Sequence, residues 1–353
     1  MIYVNQVGII LGPSLLGRLK IFKDVLFVVN SQEAIGTLAF SGYLMFMFLT
    51  GVKMDMAMIK RTGRKAMFTG IFCILAPLLI GLGLQMQFRR FWLTEEEAYR
   101  LPFLTAVHCL TPFPVVASLL EELKILNSEL GRLSLSAALV SDMFSTFLIT
   151  VTTLTKLGKE KAIFQVLIGV AATCGYVVII AFAIRPAMIW VIRQTPEGRP
   201  VRDSYIKIIM LMVFLSGALT HSFGQSMIFG PFIFGLAVPD GPPLGSAIVN
   251  TFNCFISDVS MPIFVTTCAM RTDLSLLRFN DSFMAINAII ILVTFVSKLV
   301  ACLIPPIYSK MPLSDALAIA LILSCKGVVQ LAAYAIYRDD EVTIFLFSPV
   351  FSQ

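Results

Sequence analysis

The sequence predicts an all-α polytopic membrane protein with about eleven complete or partial apolar segments and an inverted internal repeat. Hydrophobic residues occupy 58% of the 353 positions, and charged residues only 14%, far below the roughly 25% charged residues of soluble domains. The mean hydropathy is +0.88. Because no long linker or shift in composition divides the segments, we expect a single transmembrane domain over residues 1–353 without a cytosolic C-terminal domain.

The apolar segments follow one another with short polar connections. Several of them reach the ~20 residues that a helix needs to cross a bilayer, and others are shorter or are broken by Gly and Pro. A further apolar stretch, residues 342–351, is too short to span. The predicted segments are 2–16, 35–52, 66–84, 101–120, 133–155, 162–192, 203–222, 226–239, 255–270, 283–308 and 315–337.

The fourth segment contains a helix-breaking motif, Thr111-Pro112-Phe113-Pro114. Each proline lacks an N–H and clashes with the carbonyl four residues earlier, here those of His108 and Leu110. In hydrocarbon, unpaired backbone groups are tolerated only inside protein or beside a wet cavity. The motif therefore indicates either a functional interruption or a simple kink that neighbouring helices satisfy.

Two decapeptides at the ends of apolar segments share a pattern of charges. Residues 51–60 read GVKMDMAMIK and residues 269–278 read AMRTDLSLLR, with a basic residue, an aspartate and a second basic residue in register. The flanking segments agree as well. Residues 8–13 (GIILGP) resemble residues 235–239 (GLAVP), and Pro114-Val-Val resembles Gly327-Val-Val.

Three of the first four segments thus recur in the same order, seven segments apart. An odd separation reverses the orientation of corresponding helices, which is the inverted-topology repeat of many secondary transporters. We expect repeat 1 over about 1–155, linking helices over about 162–222, and an incomplete repeat 2 over about 226–353. The partner of the broken fourth segment is the eleventh, which Ser324-Cys325-Lys326-Gly327 interrupts. The alternative is that apolar segments resemble one another by composition alone.

One carboxylate, Asp142, lies near the middle of the fifth segment. A charge there costs about 2.5 to 3.5 kcal/mol on insertion scales and marks a functional candidate. Its neighbours form a polar stripe at helical spacing, so this face is expected to point into protein or water. An Asp that only bonds to neighbouring helices is the structural alternative. The stripe consists of Ser134, Ser141, Ser145 and Thr152.

A second intramembrane charge, Lys298, stands near the centre of the tenth segment, on one face with Asn287 and Thr294. It could pair with a carboxylate, or its long side chain could reach an interface. Burial shifts the protonation equilibria of acids and amines. Together with Asp142, the lysine would give a proton a place in a transport cycle.

The broken segment also offers ligands for a hard monovalent cation. The Thr111 hydroxyl and the carbonyls freed by the prolines are oxygen donors, half-helix ends add their dipoles, and Asp142 supplies the negative charge. His108, three residues before Thr111, could act as a proton relay or be an ordinary polar residue.

Other functional classes have no support in the sequence. The seven cysteines occur singly without a CxxC pair, so we interpret them as small buried hydrophobic residues and expect no transition-metal site. There is no phosphate-binding loop, metalloprotease or hydrolase motif, and no basic arm for nucleic acid. We therefore expect neither an enzyme nor a cofactor. The first residues, MIYVNQVGIILGPS, do not resemble a cleaved signal peptide and read as a chain that begins within a helix.

Several motifs together resemble the plant cation/proton exchangers of the monovalent cation:proton antiporter-2 family, over nearly the whole chain. They are Gly12-Pro13-Ser14-Leu15-Leu16-Gly17-Arg18, Phe48-Leu49-Thr50-Gly51-Val52-Lys53-Met54-Asp55, Thr111-Pro112, Ser141-Asp142, Met261-Pro262-Ile263-Phe264 and Lys298. The resemblance implies a sodium/proton-antiporter-like fold of about thirteen helices. A core domain with two crossed, interrupted helices would move against a dimerisation and scaffold domain by alternating access.

The resemblance also implies roles for individual residues. Asp142 would be the shared proton and cation site, Thr111 and Pro112 would lie on the unwound segment, and Lys298 would be the intramembrane lysine. Ser141 would contribute to the site in a position where relatives often carry Asn. We expect Lys326 and Gln330 of the second interruption to be accessory residues, as His108 is in the first.

Two further differences from relatives concern charge and length. Many relatives carry Glu at the position of Lys53 and a Glu near Gln330. Relatives also begin with one more helix and continue into a long cytosolic tail, so we expect this chain to be truncated at both ends.

The sequence therefore predicts a secondary-active antiporter for K⁺ or Na⁺ against H⁺, in which proton and cation compete for Asp142. We expect a homodimer in the plasma membrane or an endomembrane of a plant, with a part in potassium transport and pH homeostasis. The alternatives are a passive cation conduit and a non-transporting partner of intact exchangers.

Overall fold

The computed structural model describes most of the chain, with gaps, and this part is helical throughout. The described residues are 2–12, 16, 29–54, 56–91, 95–125, 128–160, 163–195, 201–223, 225–239, 241–270, 282–327 and 330. The helices are α1 (Ile2–Leu11), α2 (Val29–Lys53), α3 (Met56–Phe91), α4 (Glu95–Cys109), α5 (Phe113–Glu122), α6 (Glu129–Glu160), α7 (Ile163–Ile179), α8 (Arg185–Gln194), α9 (Asp203–Ser222), α10 (Phe229–Ala237), α11 (Leu244–Cys254), α12 (Met261–Met270), α13 (Ser282–Tyr308) and α14 (Leu313–Ser324). Two π-helical stretches, Ile180–Ile184 and Phe255–Ser260, join α7 to α8 and α11 to α12.

Six of the described helical stretches are long and apolar enough to cross a membrane. Two shorter apolar stretches, Leu104–Ala117 and Leu313–Ser324, adjoin the predicted interruptions. The six long stretches are Ala34–Lys53, Arg64–Arg89, Leu167–Gln194, Asp203–Ser222, Leu244–Met270 and Ala285–Tyr308.

Each predicted apolar segment contains or overlaps a helix, but the ninth begins earlier than predicted. It was expected from residue 255, whereas the helical path begins at Leu244 and reaches Met270. Polar residues of α11, among them Asn250 and Thr251, hid its apolar pattern, and both are exposed. At the C-terminal end of the chain, the described residues stop at 327, apart from Gln330. The rest of the eleventh segment and the stretch 342–351 therefore lie outside the described residues.

The chain forms two compact units, each built from discontinuous parts of the sequence. The first consists of Met1–Met56 and Thr146–Thr272, and the second of Ala57–Ser145 and Asp273–Gln353. Each unit therefore combines residues from both predicted repeats.

In the first unit, α2 packs against α10, and α1 packs against α12. Both pairs depend on small residues. A Cβ on Gly8 would lie 2.6 Å from Ala269 Cβ, and a Cβ on Gly51 would lie 3.0 Å from the Cα of Gly235. The backbones approach so closely that a larger residue at either glycine would force the helices apart. Nearby, Tyr43 stacks on Phe264 with ring centroids 4.6 Å apart.

In the second unit, α13 packs against both α4 and α14. Leu101 of α4 forms a buried cluster with Ile286 and Ile290 of α13. The side chain of Gln85 in α3 donates a hydrogen bond to Leu101 O at 2.7 Å. These contacts hold α3, α4 and α13 together at the level of Leu101, two turns before the end of α4.

The helix breaks within the fourth segment, as the sequence predicted, but at a slightly different place. α4 ends at Cys109 and α5 begins at Phe113, so Leu110, Thr111 and Pro112 are the non-helical residues. Pro114, the second proline of the motif, is itself helical. It occupies the second position of α5, where a proline is tolerated because a first-turn N–H has no intrahelical partner. The second interruption follows α14, where Cys325, Lys326 and Gly327 are non-helical.

Candidate functional site

Lys298 belongs to α13, and its side chain lies at the C-terminal end of α4. Its side chain is 1% exposed, and Nζ donates hydrogen bonds to Cys109 O at 2.9 Å and to Leu110 O at 2.8 Å. The sequence left open whether Lys298 pairs with a carboxylate. Its described partners are backbone carbonyls instead. The two carbonyls are available because the break leaves them without helical N–H partners.

The second interruption contributes further donors to the same helix end. Lys326 Nζ donates to His108 O, and Gln330 Nε2 donates to Leu110 O at 2.9 Å. The backbone N–H of Gly327 in turn donates to Gln330 Oε1 at 2.8 Å. Lys326 and Gln330, predicted as accessory residues, are thus brought to the carbonyl groups at the end of α4.

These contacts have an electrostatic reason. The last carbonyls of a helix carry its negative dipole end, which cations stabilise. At the end of α4 the ammonium groups of Lys298 and Lys326 provide that charge, and the Gln330 amide satisfies a second lone pair of Leu110 O. Charge-assisted hydrogen bonds of this kind are about twice as strong as neutral ones.

Asp142 lies on the opposite side of the break, at the start of α5. Its carboxylate accepts a hydrogen bond from the backbone N–H of Phe113, the first residue of that helix. The first N–H groups of a helix have no intrahelical partner and carry its positive dipole end, where an anion is stabilised. The sequence signal for this helix start is Pro114, which favours the first turn of a helix.

The hydroxyl next to Asp142 is buried without a partner. Ser141 is 0% exposed, and its Oγ has no hydrogen-bond partner among the residues that the structure describes. Ser145, one turn later, instead donates to Ser141 O at 2.8 Å. A buried oxygen that lacks a partner is costly unless something else bonds to it, so Ser141 Oγ is a candidate ligand.

Thr111 and Pro112 form the centre of the break. Thr111 is 0% exposed, and its Oγ1 lies 3.5 Å from Cys73 Sγ. Pro112 O accepts a hydrogen bond from Val116 N at 3.3 Å, which begins the ladder of α5. The Thr111 hydroxyl therefore lies in the break and faces Cys73 of α3.

Other parts of the predicted polar faces are also turned inward. Ser134 is 0% exposed and Ser145 4%, as the predicted stripe on α6 requires, and Thr294 is 2% exposed on the face of Lys298. Asn287 Oδ1 on that face is buried. The side chain of Thr152 lies outside the described residues.

The two interruptions approach each other at a small residue. A Cβ on Gly327 would clash with Val115 Cγ2 in α5. Val115 and Gly327 belong to the Pro114-Val-Val and Gly327-Val-Val stretches that the sequence pairs. A glycine is needed there because the chain after α14 must come close enough for Lys326 and Gln330 to reach α4.

The freed carbonyls are not open cation ligands as the sequence suggested. Those of His108, Cys109 and Leu110 all accept hydrogen bonds from side-chain nitrogens. Over the described residues, no group of three or more His, Cys, Asp and Glu side chains could hold a metal ion. The other oxygen donors that the sequence predicted as ligands are the carboxylate of Asp142 and the hydroxyls of Ser141 and Thr111.

Comparison with known proteins gives concordant results. The sequence profile of the family described as "Sodium/hydrogen exchanger, transmembrane" matches residues 2–346. Cation/H(+) antiporter 15 of Arabidopsis thaliana is 32% identical over 335 residues, which are 95% of this chain and 40% of that protein. Cation/H(+) antiporter 3 of the same plant is 35% identical over 357 residues, covering 95% and 43%. The chain therefore spans about two fifths of the length of these relatives.

A solved structure also matches, that of the sodium proton antiporter MjNhaP1 from Methanocaldococcus jannaschii at pH 8. The TM-score is 0.61 at 16% identity, and the match covers 94% of this chain and 78% of the other. At this identity the match shows the fold alone. The predicted all-α, antiporter-like membrane fold is thereby confirmed.

Proposed function

The chain belongs to the sodium/hydrogen exchanger family of transmembrane proteins, and from this premise we propose that it is a secondary-active antiporter of a monovalent cation and a proton. The family is one of transporters and not of enzymes. The observation that carries the proposal is the position of Asp142, whose carboxylate bonds to the first N–H of the half-helix α5. An acid in that position can be neutralised either by a proton or by a bound cation.

Competition for one carboxylate would couple the two fluxes. When Asp142 is deprotonated, its charge favours a cation, and when it is protonated, that attraction is lost. Coupling needs only that Asp142 cannot change sides of the membrane while charged and empty, since an unpaired charge in a low-dielectric core is costly. With one carboxylate in the exchange, a one-for-one electroneutral cycle is the simplest form. Alternating access would present this acid to each side in turn.

The proposed ligand set is the Asp142 carboxylate with the hydroxyls of Ser141 and Thr111. Oxygen donors suit hard cations. Ser141 is included because its Oγ is buried and has no hydrogen-bond partner within the described part of the chain. Thr111 is included because it is buried at the break.

Lys298 and Lys326 would have a different task in this proposal. Their ammonium groups bond to the carbonyls at the end of α4, where a free cation could otherwise bind. They act as fixed cations that confine the mobile one to the neighbourhood of Asp142. Gln330 donates a further hydrogen bond to Leu110 O. We propose His108, which lies three residues before Thr111, as a proton relay.

We also propose the inverted repeat as the basis of the fold. The sequence aligns Gly8 with Gly235, and Gly51 with Ala269. The contact of Gly8 with Ala269 is then the counterpart of the contact of Gly235 with Gly51. A two-fold relation between the repeats would produce such reciprocal close approaches, and this supports the division into repeats at about 1–155 and 226–353.

For the transported ions, we base the proposal on the related proteins. The names of the Arabidopsis relatives specify a cation and H⁺, and the similar solved structure is that of a sodium proton antiporter. We propose K⁺ or Na⁺ as the transported cation, a homodimer as the working form, and the plasma membrane or an endomembrane as the location. A role in potassium transport and pH homeostasis would follow from that activity.

Reconstitution tests the proposal directly. The full chain is placed in proteoliposomes with a pH-sensitive dye inside, and K⁺ or Na⁺ is added outside. We expect cation-dependent alkalinisation of the lumen by the wild type and none by Asp142→Asn, which keeps the size but not the titratable charge. Asp203→Asn, at an exposed position in the first turn of α9, is the matched control and should transport like the wild type.

The two other functions are distinguishable outcomes of the same experiment. Cation flux without proton movement would identify a passive conduit. Absence of both fluxes in the folded wild type at every pH would favour the non-transporting partner. Retention of cation-dependent proton flux by Asp142→Asn would reject the proposed exchange site.

A further inference from the structure

Two cysteines that the proposed cycle does not use face each other behind the break. Cys73 of α3 and Cys302 of α13 are both 0% exposed, and both are free thiols. Their Sγ atoms are 2.9 Å apart although 229 positions separate them in sequence. The sequence had suggested only small buried hydrophobic residues, and it placed Cys174 and Cys254 in that class too, although both are exposed.

The thiol pair touches the proposed site on two sides. Cys73 Sγ lies 3.5 Å from Thr111 Oγ1. Cys302 follows Lys298 by one helical turn on α13, so both project from the same face, and Lys298 bonds to the carbonyls that precede Thr111. A change at the thiols would therefore act on the hydroxyl and the lysine that border the break.

We propose that Cys73 and Cys302 are a redox modification site, which forms a reversible disulfide and thereby slows transport. A disulfide has an S–S bond of about 2.05 Å, so the two sulfur atoms need to approach by only about 0.9 Å. Each cysteine belongs to the second unit, so the bond can form within one packed body. The inhibition of transport rests on the proposed antiport, whereas formation of the disulfide does not.

The oxidant is a hydroperoxide, which is small and uncharged. One thiol sulfur attacks the peroxide O–O bond, gives a sulfenic acid and releases water or an alcohol. The second thiol then displaces water from the sulfenic acid and forms the S–S bond. In total the two thiols lose two electrons and two protons, and the peroxide is reduced. A dithiol reverses the reaction by thiol–disulfide exchange.

The disulfide has two physical consequences for the site. Neither sulfur keeps a proton, so in the contact between Cys73 Sγ and Thr111 Oγ1, where either atom could donate, only the hydroxyl remains as a donor. The bond also ties α3 to α13 at the level of the break. Movement of Thr111 or of the carbonyls held by Lys298 during the cycle would then require a covalently linked helix pair to shift.

The experiment uses the full chain in proteoliposomes, treated with hydrogen peroxide and then with dithiothreitol. Mass spectrometry after non-reducing digestion should show a peptide that links Cys73 to Cys302 and has lost two hydrogen masses. Cation-dependent proton flux should fall about fivefold or more, which is the size of effect that coupling between two sites typically produces. Dithiothreitol should remove the linked peptide and restore the flux.

Two variants make the test specific. Cys302→Ser should abolish both the linked peptide and the peroxide sensitivity, each flux being compared with that of the same variant before oxidation. Cys174→Ser removes an exposed thiol, and this variant should still form the linked peptide and remain sensitive to peroxide. Absence of the linked peptide after peroxide would overturn the proposal, and so would a flux loss that persists in Cys302→Ser. If the peptide forms in a chain without any antiport, the disulfide stands and the proposed function fails.

Discussion

The carboxylate of Asp142 accepts a hydrogen bond from the backbone N–H of Phe113, the first residue of the half-helix α5. Across the break, Lys298 donates to the last carbonyls of α4. Each intramembrane charge thus meets the helix end of opposite polarity. A single interruption can thereby hold an acid at one half-helix and an amine at the other.

Ser141→Ala tests whether the unpartnered hydroxyl is a cation ligand. Its Oγ makes no hydrogen bond that the described structure records, so the substitution should leave thermal stability nearly unchanged. Loss of a ligand worth about 1 kcal/mol should raise KM for the cation about fivefold. Transport kinetics in proteoliposomes measure the effect.

The neighbouring serine is the control for that measurement. Ser145→Ala removes a hydroxyl that bonds to Ser141 O within the helix, and its KM should equal that of the wild type. An unchanged KM in Ser141→Ala would exclude this hydroxyl from the ligand set.

Lys298→Met should destabilise the protein as well as impair transport. The change keeps an unbranched side chain but leaves two buried carbonyls, Cys109 O and Leu110 O, without the ammonium group. Leu110 O retains the amide of Gln330, whereas Cys109 O is left unsatisfied, at a cost of about 1 to 3 kcal/mol. Thermal unfolding in detergent should show a clearly lower midpoint.

Lys207→Met, at an exposed position of α9, controls for removal of a positive charge. Its unfolding midpoint should match that of the wild type. If Lys298→Met also unfolds like the wild type, the bonds to α4 contribute no stability and the assigned role of Lys298 is wrong.

The two hydrogen bonds of Gln330 can be separated by substitution. Gln330→Leu removes both the donor to Leu110 O and the acceptor for Gly327 N. Gln330→Glu keeps the acceptor. At about 1 kcal/mol for each net hydrogen bond, Leu should destabilise the protein about twice as much as Glu, measured by thermal unfolding. Equal effects of the two variants would contradict this division.

Gly327→Ala should weaken the approach of the two interruptions. The added Cβ would clash with Val115 Cγ2, and overpacking of this kind costs about 1 to 3 kcal/mol. Reduced thermal stability and reduced transport are expected together, because Lys326 and Gln330 would be moved from the end of α4.

A double-mutant cycle identifies the clash as the cause. Val115→Ala provides room for the new methyl group, so the double variant should recover part of the stability lost in Gly327→Ala. Strict additivity of the two losses would show that the two residues do not interact in this way.

The sequence by itself determined the helical membrane class, most of the apolar helices, the interrupted segment and the presence of Asp142 and Lys298 in apolar stretches. It could do so because these features follow from local physics. Hydrocarbon excludes charges and unpaired backbone groups, so Asp142, Lys298 and the Thr111-Pro112-Phe113-Pro114 motif are conspicuous in any apolar stretch.

Only the tertiary structure decided which groups meet. The amines that bond to the end of α4 come from 189 and 218 positions away, and the facing thiols are 229 positions apart. No local pattern encodes such pairings, since they depend on how α3, α4, α13 and α14 pack. Through this packing, Lys298, Lys326 and Gln330 donate to the freed carbonyls of α4. Asp142 lies at the start of α5, and Cys73 contacts Cys302.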